Sequence, residues 1–155
     1  MLREASRVLR PGGLILLGEW VHPPVDSSTG ESPSGIAAFC KAFDSSLLSE
    51  YAIENIPPFL PDYISGLGAF DDIQSRDYHM PIGDRVWPSP HAKDLGAKFR
   101  ETLKIWTGSA ATVLKKAQYD EDTIEGLVDG FMGEIDSIAG LQITYRVITA
   151  QRVAK

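Results

Sequence analysis

Residues 8–20 read VLRPGGLILLGEW, Val8 to Trp20, and the order of elements around the paired glycines decides the fold. Upstream, Leu2, Ala5, Val8 and Leu9 recur at helical spacing, while Arg3, Glu4, Arg7 and Arg10 fall on the remaining face. This pattern predicts an amphipathic helix. Pro11 forbids its continuation, and Pro followed by Gly suits a type II turn, whose second central residue needs a positive φ. Leu14 to Trp20 then form a nearly uninterrupted apolar run of strand length, as expected of a strand covered on both faces in a parallel sheet. The fold class that follows is α/β.

The glycines themselves could cradle a phosphate or serve only as a hinge. Phosphate loops in α/β folds run strand, glycines, helix, because the helix N-terminus supplies the N–H donors and the positive end of the dipole. Here Gly12 and Gly13 follow a helix and precede a strand, so they end one element and turn the chain into the next. A second imitation, DYISGLGAF from Asp62 to Phe70, places Gly66 and Gly68 near an acid. No apolar strand precedes it, and Pro57, Pro58 and Pro61 make its approach a poor parallel strand. A helix-ending turn is expected there.

Working outward, Val21 to Gly35 is rich in Pro, Ser and Gly and reads as a long surface loop. Ile36 to Tyr51 is predicted helical, with Cys40 on the buried face. A short helical piece is expected around Pro61 to Ser65, followed by a weak, polar strand from about Asp72 to Met80, near a sheet edge. Ser89 reads as an N-cap with Pro90 at the first helical position. Ala92, Leu95, Phe99, Leu103 and Trp106 line the face of that helix, which is expected to break at Gly108 and Ser109. Asp120 caps a further helix containing Gly126, Gly130 and Gly133, each costing about 1 kcal/mol relative to Ala, for which close packing or a bend is the expected reason. Gln142 to Arg152 alternates and is rich in β-branched residues, predicting a terminal strand.

The 155 residues, 43% hydrophobic and 23% charged, make a globular composition long enough for one domain with a core. A formal net charge of −6 argues against nucleic-acid or anionic-membrane partners. A single cysteine excludes an internal disulfide and fits a reducing, cytoplasmic setting. No apolar run approaches the roughly 20 residues of a membrane-spanning helix. The arginine-rich opening superficially matches a mitochondrial transit peptide, against which Glu4 and the helix-to-strand order both speak.

His22, His79 and His91 lack the spacing of a metal site, and there is no Gly-x-Ser-x-Gly elbow. Position singles out Glu19, Trp20 and His22, at the carboxyl end of the first strand, where open α/β sheets bind ligands. Glu19 can accept a hydrogen bond or a proton, His22 can act as a base near neutral pH, and Trp20 can stack on a substrate. Taken one at a time, each fits a solvated strand end equally well.

LREASRVLRPGGLILLGEW resembles a stretch of class I S-adenosylmethionine-dependent methyltransferases: a helix ending in a basic residue, Pro-Gly-Gly, and a hydrophobic fifth strand ending in an acid. PPFLPDYISGLGAFDDIQSRDYHMPIG, AKDLGAKFRETL and QITYRVITAQRV are similar to the second half of fungal small-molecule methyltransferases of this family, enzymes of secondary metabolism. The resemblance implies a partial Rossmann-like fold with several packed helices and a small mixed sheet in the order five, seven, six, the last strand antiparallel and in the middle. Residues 1–155 would be the C-terminal portion of such a domain, because the family's cofactor loop and acidic residue have no counterpart ahead of Leu14. Departures lie in GLGAF, where a plain Gly-Phe is usual, and in PIGDRVW before Trp87.

By the same resemblance the full domain transfers a methyl group from S-adenosylmethionine to a small-molecule acceptor. Trp20, His22, Tyr63 and Trp87 would build the acceptor pocket, and His22 or Glu19 would deprotonate the acceptor. No tight cofactor binding is expected of this chain alone, and no metal. The Leu14 to Trp20 strand, lacking a neighbour, would expose an apolar edge that invites self-association or a partner chain. The reading from a different class is a non-catalytic binding or dimerisation module derived from such an enzyme.

Overall fold

The turn after the first helix forms as its sequence requires. Gly12 takes a φ of 74°, and the Gly13 N–H donates to the Arg10 carbonyl at 2.8 Å, closing a four-residue turn with glycine at its third position. It joins α1 (Leu2–Val8) to β1 (Leu14–Asp26) in the computed structural model, which describes residues 2–154. Then come α2 (Ser34–Tyr51), a 3₁₀ turn (Pro57–Phe59), α3 (Leu60–Gly66), β2 (Phe70–Pro81), α4 (Pro90–Lys116), α5 (Glu121–Ser137) and β3 (Leu141–Arg152). No helix among the described residues is long and apolar enough to cross a membrane.

The fold is α/β, and its three strands lie in the order β1-β3-β2. Gly12 donates to the Arg152 carbonyl and Arg152 to that of Gly13, so the beginning of β1 meets the end of β3. Ile82 donates to Leu141, which brings the end of β2 to the beginning of β3. The last strand is therefore central and runs against both outer strands, which are parallel to each other. Each adjacent pair is antiparallel, and the order matches the five, seven, six expectation.

Strand β1 runs to Asp26, well past Trp20, through residues expected to form a loop. Its outer position explains this: Pro23 and Pro24 lack an N–H, and an outer strand needs donors on one side only. β2 is the other outer strand, as its polar sequence suggested.

The chain divides into two compact units. The first comprises the segment ending at Val21, Ile56–Tyr78, and the segment beginning at Thr144. Its core joins Ile15, Phe70, Ile148 and Ala150 from the strands to Leu60 and Ile64 from α3, with Leu2 and Leu9 packed alongside. Leu14 and Leu16, on the opposite face of β1, are 69% and 70% exposed. This corrects the expectation of a strand covered on both faces: the helical residues of this core meet only the face that carries Ile15 and Leu17.

The second unit comprises His22–Asn55 and His79–Ile143, in which α2, α4 and α5 pack against one another. Phe39, Trp106 and Phe131 form its aromatic centre, with ring centroids 4.8 to 5.8 Å apart. Ser89 caps α4 by accepting from the Ala92 N–H at 3.1 Å, and Asp120 caps α5 by accepting from that of Thr123 at 2.8 Å. Glu134 of α5 accepts from the Ile36 N–H at 2.8 Å, placing a carboxylate at the positive end of α2.

Helix α4 does not break at Gly108 but runs unbroken for 27 residues. Leu103, Thr107, Ala110 and Leu114, spaced four, three and four apart, are all buried. That continuous face outweighs a glycine penalty of about 1 kcal/mol. Of the α5 glycines, Gly130 faces α2 at Gly35, whereas Gly126 and Gly133 face open space, so close packing explains only the first.

Candidate functional site

Trp20 and Tyr63 belong to the first unit, together with Glu19. Glu19 and Trp20 are neighbours on β1, so their side chains point to opposite faces. Glu19 is exposed. The Trp20 ring lies 4.7 Å from that of Tyr145 on β3, tilted by 55°. The Tyr145 hydroxyl occupies the place that a Cβ on Gly18 would take, which accounts for a glycine inside a strand. Tyr63, on α3, is 47% exposed.

His22 and Trp87 belong to the second unit. Trp87 lies between β2 and α4, with its Nε1–H buried and without an acceptor among the described residues. His22 Nδ1 lies 3.6 Å from Asp44 Oδ2, both side chains being largely buried. Asn55 Nδ2 donates to the same Asp44 oxygen at 3.3 Å. His22, Asp44 and Asn55 thus converge on one carboxylate.

The electrostatics of this group follow from burial. Desolvation pushes the Asp44 carboxyl above its ordinary value, while the nearby His22 charge and the Asn55 hydrogen bond work in the opposite direction. Cys40, one helical turn before Asp44 on α2, is buried as its spacing predicted. Burial, aided by the Asp44 charge, pushes its thiol up to about 12, so it is a packing residue rather than a nucleophile.

Asp44, Asn55 and Tyr145 were not singled out from sequence. Asp44 carried a signal: it falls on the helical stripe of Ile36, Cys40 and Leu47, where an unpartnered acid would be costly. Asn55 lies beyond the end of α2 and carried none. What the group can do chemically is hold an imidazole against a carboxylate, the arrangement that orients a histidine base.

No family model and no curated protein matches this chain. Among solved structures, it is similar to Haemonchus contortus phosphoethanolamine N-methyltransferase 2, determined in complex with phosphomonomethylethanolamine and S-adenosylhomocysteine. The identity is 17% and the TM-score 0.41, over 99% of this chain and 29% of that one. The chain thus spans less than a third of the length of that protein.

Proposed function

We propose that this chain forms the acceptor-binding part of a class I S-adenosylmethionine-dependent methyltransferase of the fungal small-molecule type, with His22 as the base that receives the acceptor proton. The observation that carries this reading is the largely buried Asp44 carboxylate 3.6 Å from His22 Nδ1. It is supported by the residue-level resemblance around Pro11 to Trp20 and by the central, inverted last strand. When bound to such a domain, S-adenosylmethionine supplies a methyl group on a sulfonium. The two strand-to-helix loops, residues 27–33 and 82–89, carry one glycine each and lack the paired glycines of a cofactor cradle. The cofactor is therefore assigned no residue here.

In this reading His22 takes up the proton as the acceptor atom becomes nucleophilic, and the exposed Glu19 carboxylate is the alternative proton acceptor. Within the second unit, Trp87 is the further candidate for contact with the acceptor, and within the first unit Trp20 and Tyr63 are candidate aromatic faces. The test is transfer of labelled methyl groups from S-adenosylmethionine to phenolic, carboxylic and amine acceptors. It is run with the chain as it stands and with any coding sequence upstream of Met1 included. His22→Ala should lower the rate by about 10² to 10⁴, the usual contribution of a positioned base. Product from neither preparation defeats the reading.

The second reading, a non-catalytic module that binds another chain, is favoured by one observation: Leu14 and Leu16 stand exposed on the outer strand β1. Concentration-dependent association without methyl transfer would select it.

A further inference from the structure

Among the described residues, three buried side-chain polar atoms lack a hydrogen-bond partner: His22 Nδ1, Asn55 Oδ1 and Trp87 Nε1. Two of the three belong to side chains that flank one carboxylate, that of Asp44. Leaving a buried polar atom unpaired is destabilising, so two such atoms beside one acid are a costly arrangement for packing alone.

The chemistry of the three groups is directional. An ionised carboxylate only accepts hydrogen bonds, whereas a neutral imidazole carries one N–H and one lone pair. Which nitrogen carries the proton is set by what faces the other. With Asp44 facing Nδ1, the proton is held at Nδ1 and the lone pair is left on Nε2. The 3.6 Å separation is about 0.4 Å beyond hydrogen-bond range, so a direct N–H···O bond requires the two side chains to draw together. Asn55 limits how the carboxylate can turn, because its amide donates to the oxygen that faces His22.

We propose that Asp44, held by Asn55, is a positioning residue that fixes His22 in its Nδ1–H form and leaves Nε2 to receive a proton. The proposal rests on the reading of His22 as a base, but its test does not depend on methyl transfer. The imidazole nitrogens of His22 are observed by long-range proton–nitrogen NMR in the intact chain, at a pH where the ring is neutral. The wild type should show the Nδ1–H tautomer, which free histidine disfavours. Asp44→Asn should shift the population toward Nε2–H, and Asp44→Glu should restore part of it. Asn55→Ala should give a mixture.

A wild-type Nε2–H tautomer, or an Nδ1–H population unchanged in Asp44→Asn, would overturn the proposal. If Asp44→Asn fails to fold, the wild-type tautomer and Asn55→Ala decide the question. A fixed Nδ1–H form without methyl transfer would defeat the functional reading while leaving the role of Asp44 intact. Transfer with an unchanged tautomer would do the reverse.

Discussion

Gly35 and Gly130 meet backbone to backbone where α2 packs on α5: a Cβ on Gly35 would lie 2.8 Å from both the carbonyl carbon and oxygen of Gly130. Backbone cannot swing aside as a side chain can. Gly35→Ala should therefore destabilise the protein by about 1 to 3 kcal/mol, the usual cost of overpacking, measured by urea denaturation. Gly126 and Gly133, in the same helix α5, face open space, and alanine at either should stabilise by up to about 1 kcal/mol. Equal effects at all three positions would contradict the packing described here.

Cys40 should be inert to thiol reagents in the native protein. With its thiol held up to about 12, only about one molecule in 10⁴ is thiolate at pH 8, and thiolate is the reacting form. Its modification rate should follow global unfolding and rise with added urea. Rapid labelling without denaturant would show that the α2 face opens on its own.

The Asp44 carboxyl, raised by burial, makes stability depend on pH in a defined direction. When the folded value exceeds the unfolded one, the native state binds more protons between the two, so stability falls as pH rises through that window. Asp44→Asn removes this loss. Its stability relative to wild type should grow from about pH 3 upward and level off above the folded value. Denaturation at a series of pH values checks this, and a wild type that gains on the variant with rising pH would refute it. His22→Ala should raise the Asp44 carboxyl further, because it removes the neighbouring charge that lowers it.

Leu14 and Leu16 present apolar side chains on an outer strand, a combination that favours association between chains. Sedimentation velocity should show mass increasing with protein concentration. Leu16→Lys should suppress that increase while leaving the Ile15 side of the strand undisturbed. A wild type that is monomeric at every concentration removes the support for an interaction module.

What could be read from sequence was local. Ser89 and Asp120 announce helix starts because a cap needs only its own side chain and the N–H three residues on. Pro11 and Gly12 announce a turn for a similar reason. The continuation of α4 through Gly108 was not legible, since it rests on packing of Thr107 and Ala110 by distant residues. Nor was the length of β1, since Pro23 and Pro24 read as loop residues until the strand is known to be an outer one. At the candidate site, His22 was singled out for its place at the carboxyl end of the first strand, whereas the structure puts it inside the longer β1. Asp44 was half-legible as an acid in an apolar stripe, and Asn55 not at all, since its partner lies on α2.

The central position of β3 also dictates an order of events in folding. Among the described residues β1 and β2 share no hydrogen bonds with each other, and each has β3, which follows both along the chain, as its sheet neighbour. The Gln151 side chain donates to the Gly12 carbonyl across a separation of 139 residues. Contacts of such range close slowly, because the loop entropy is lost before any contact repays it. During synthesis neither of these pairings can form until the residues of β3 emerge, so a nascent chain halted anywhere in α5 holds β1 and β2 without the strand that joins them.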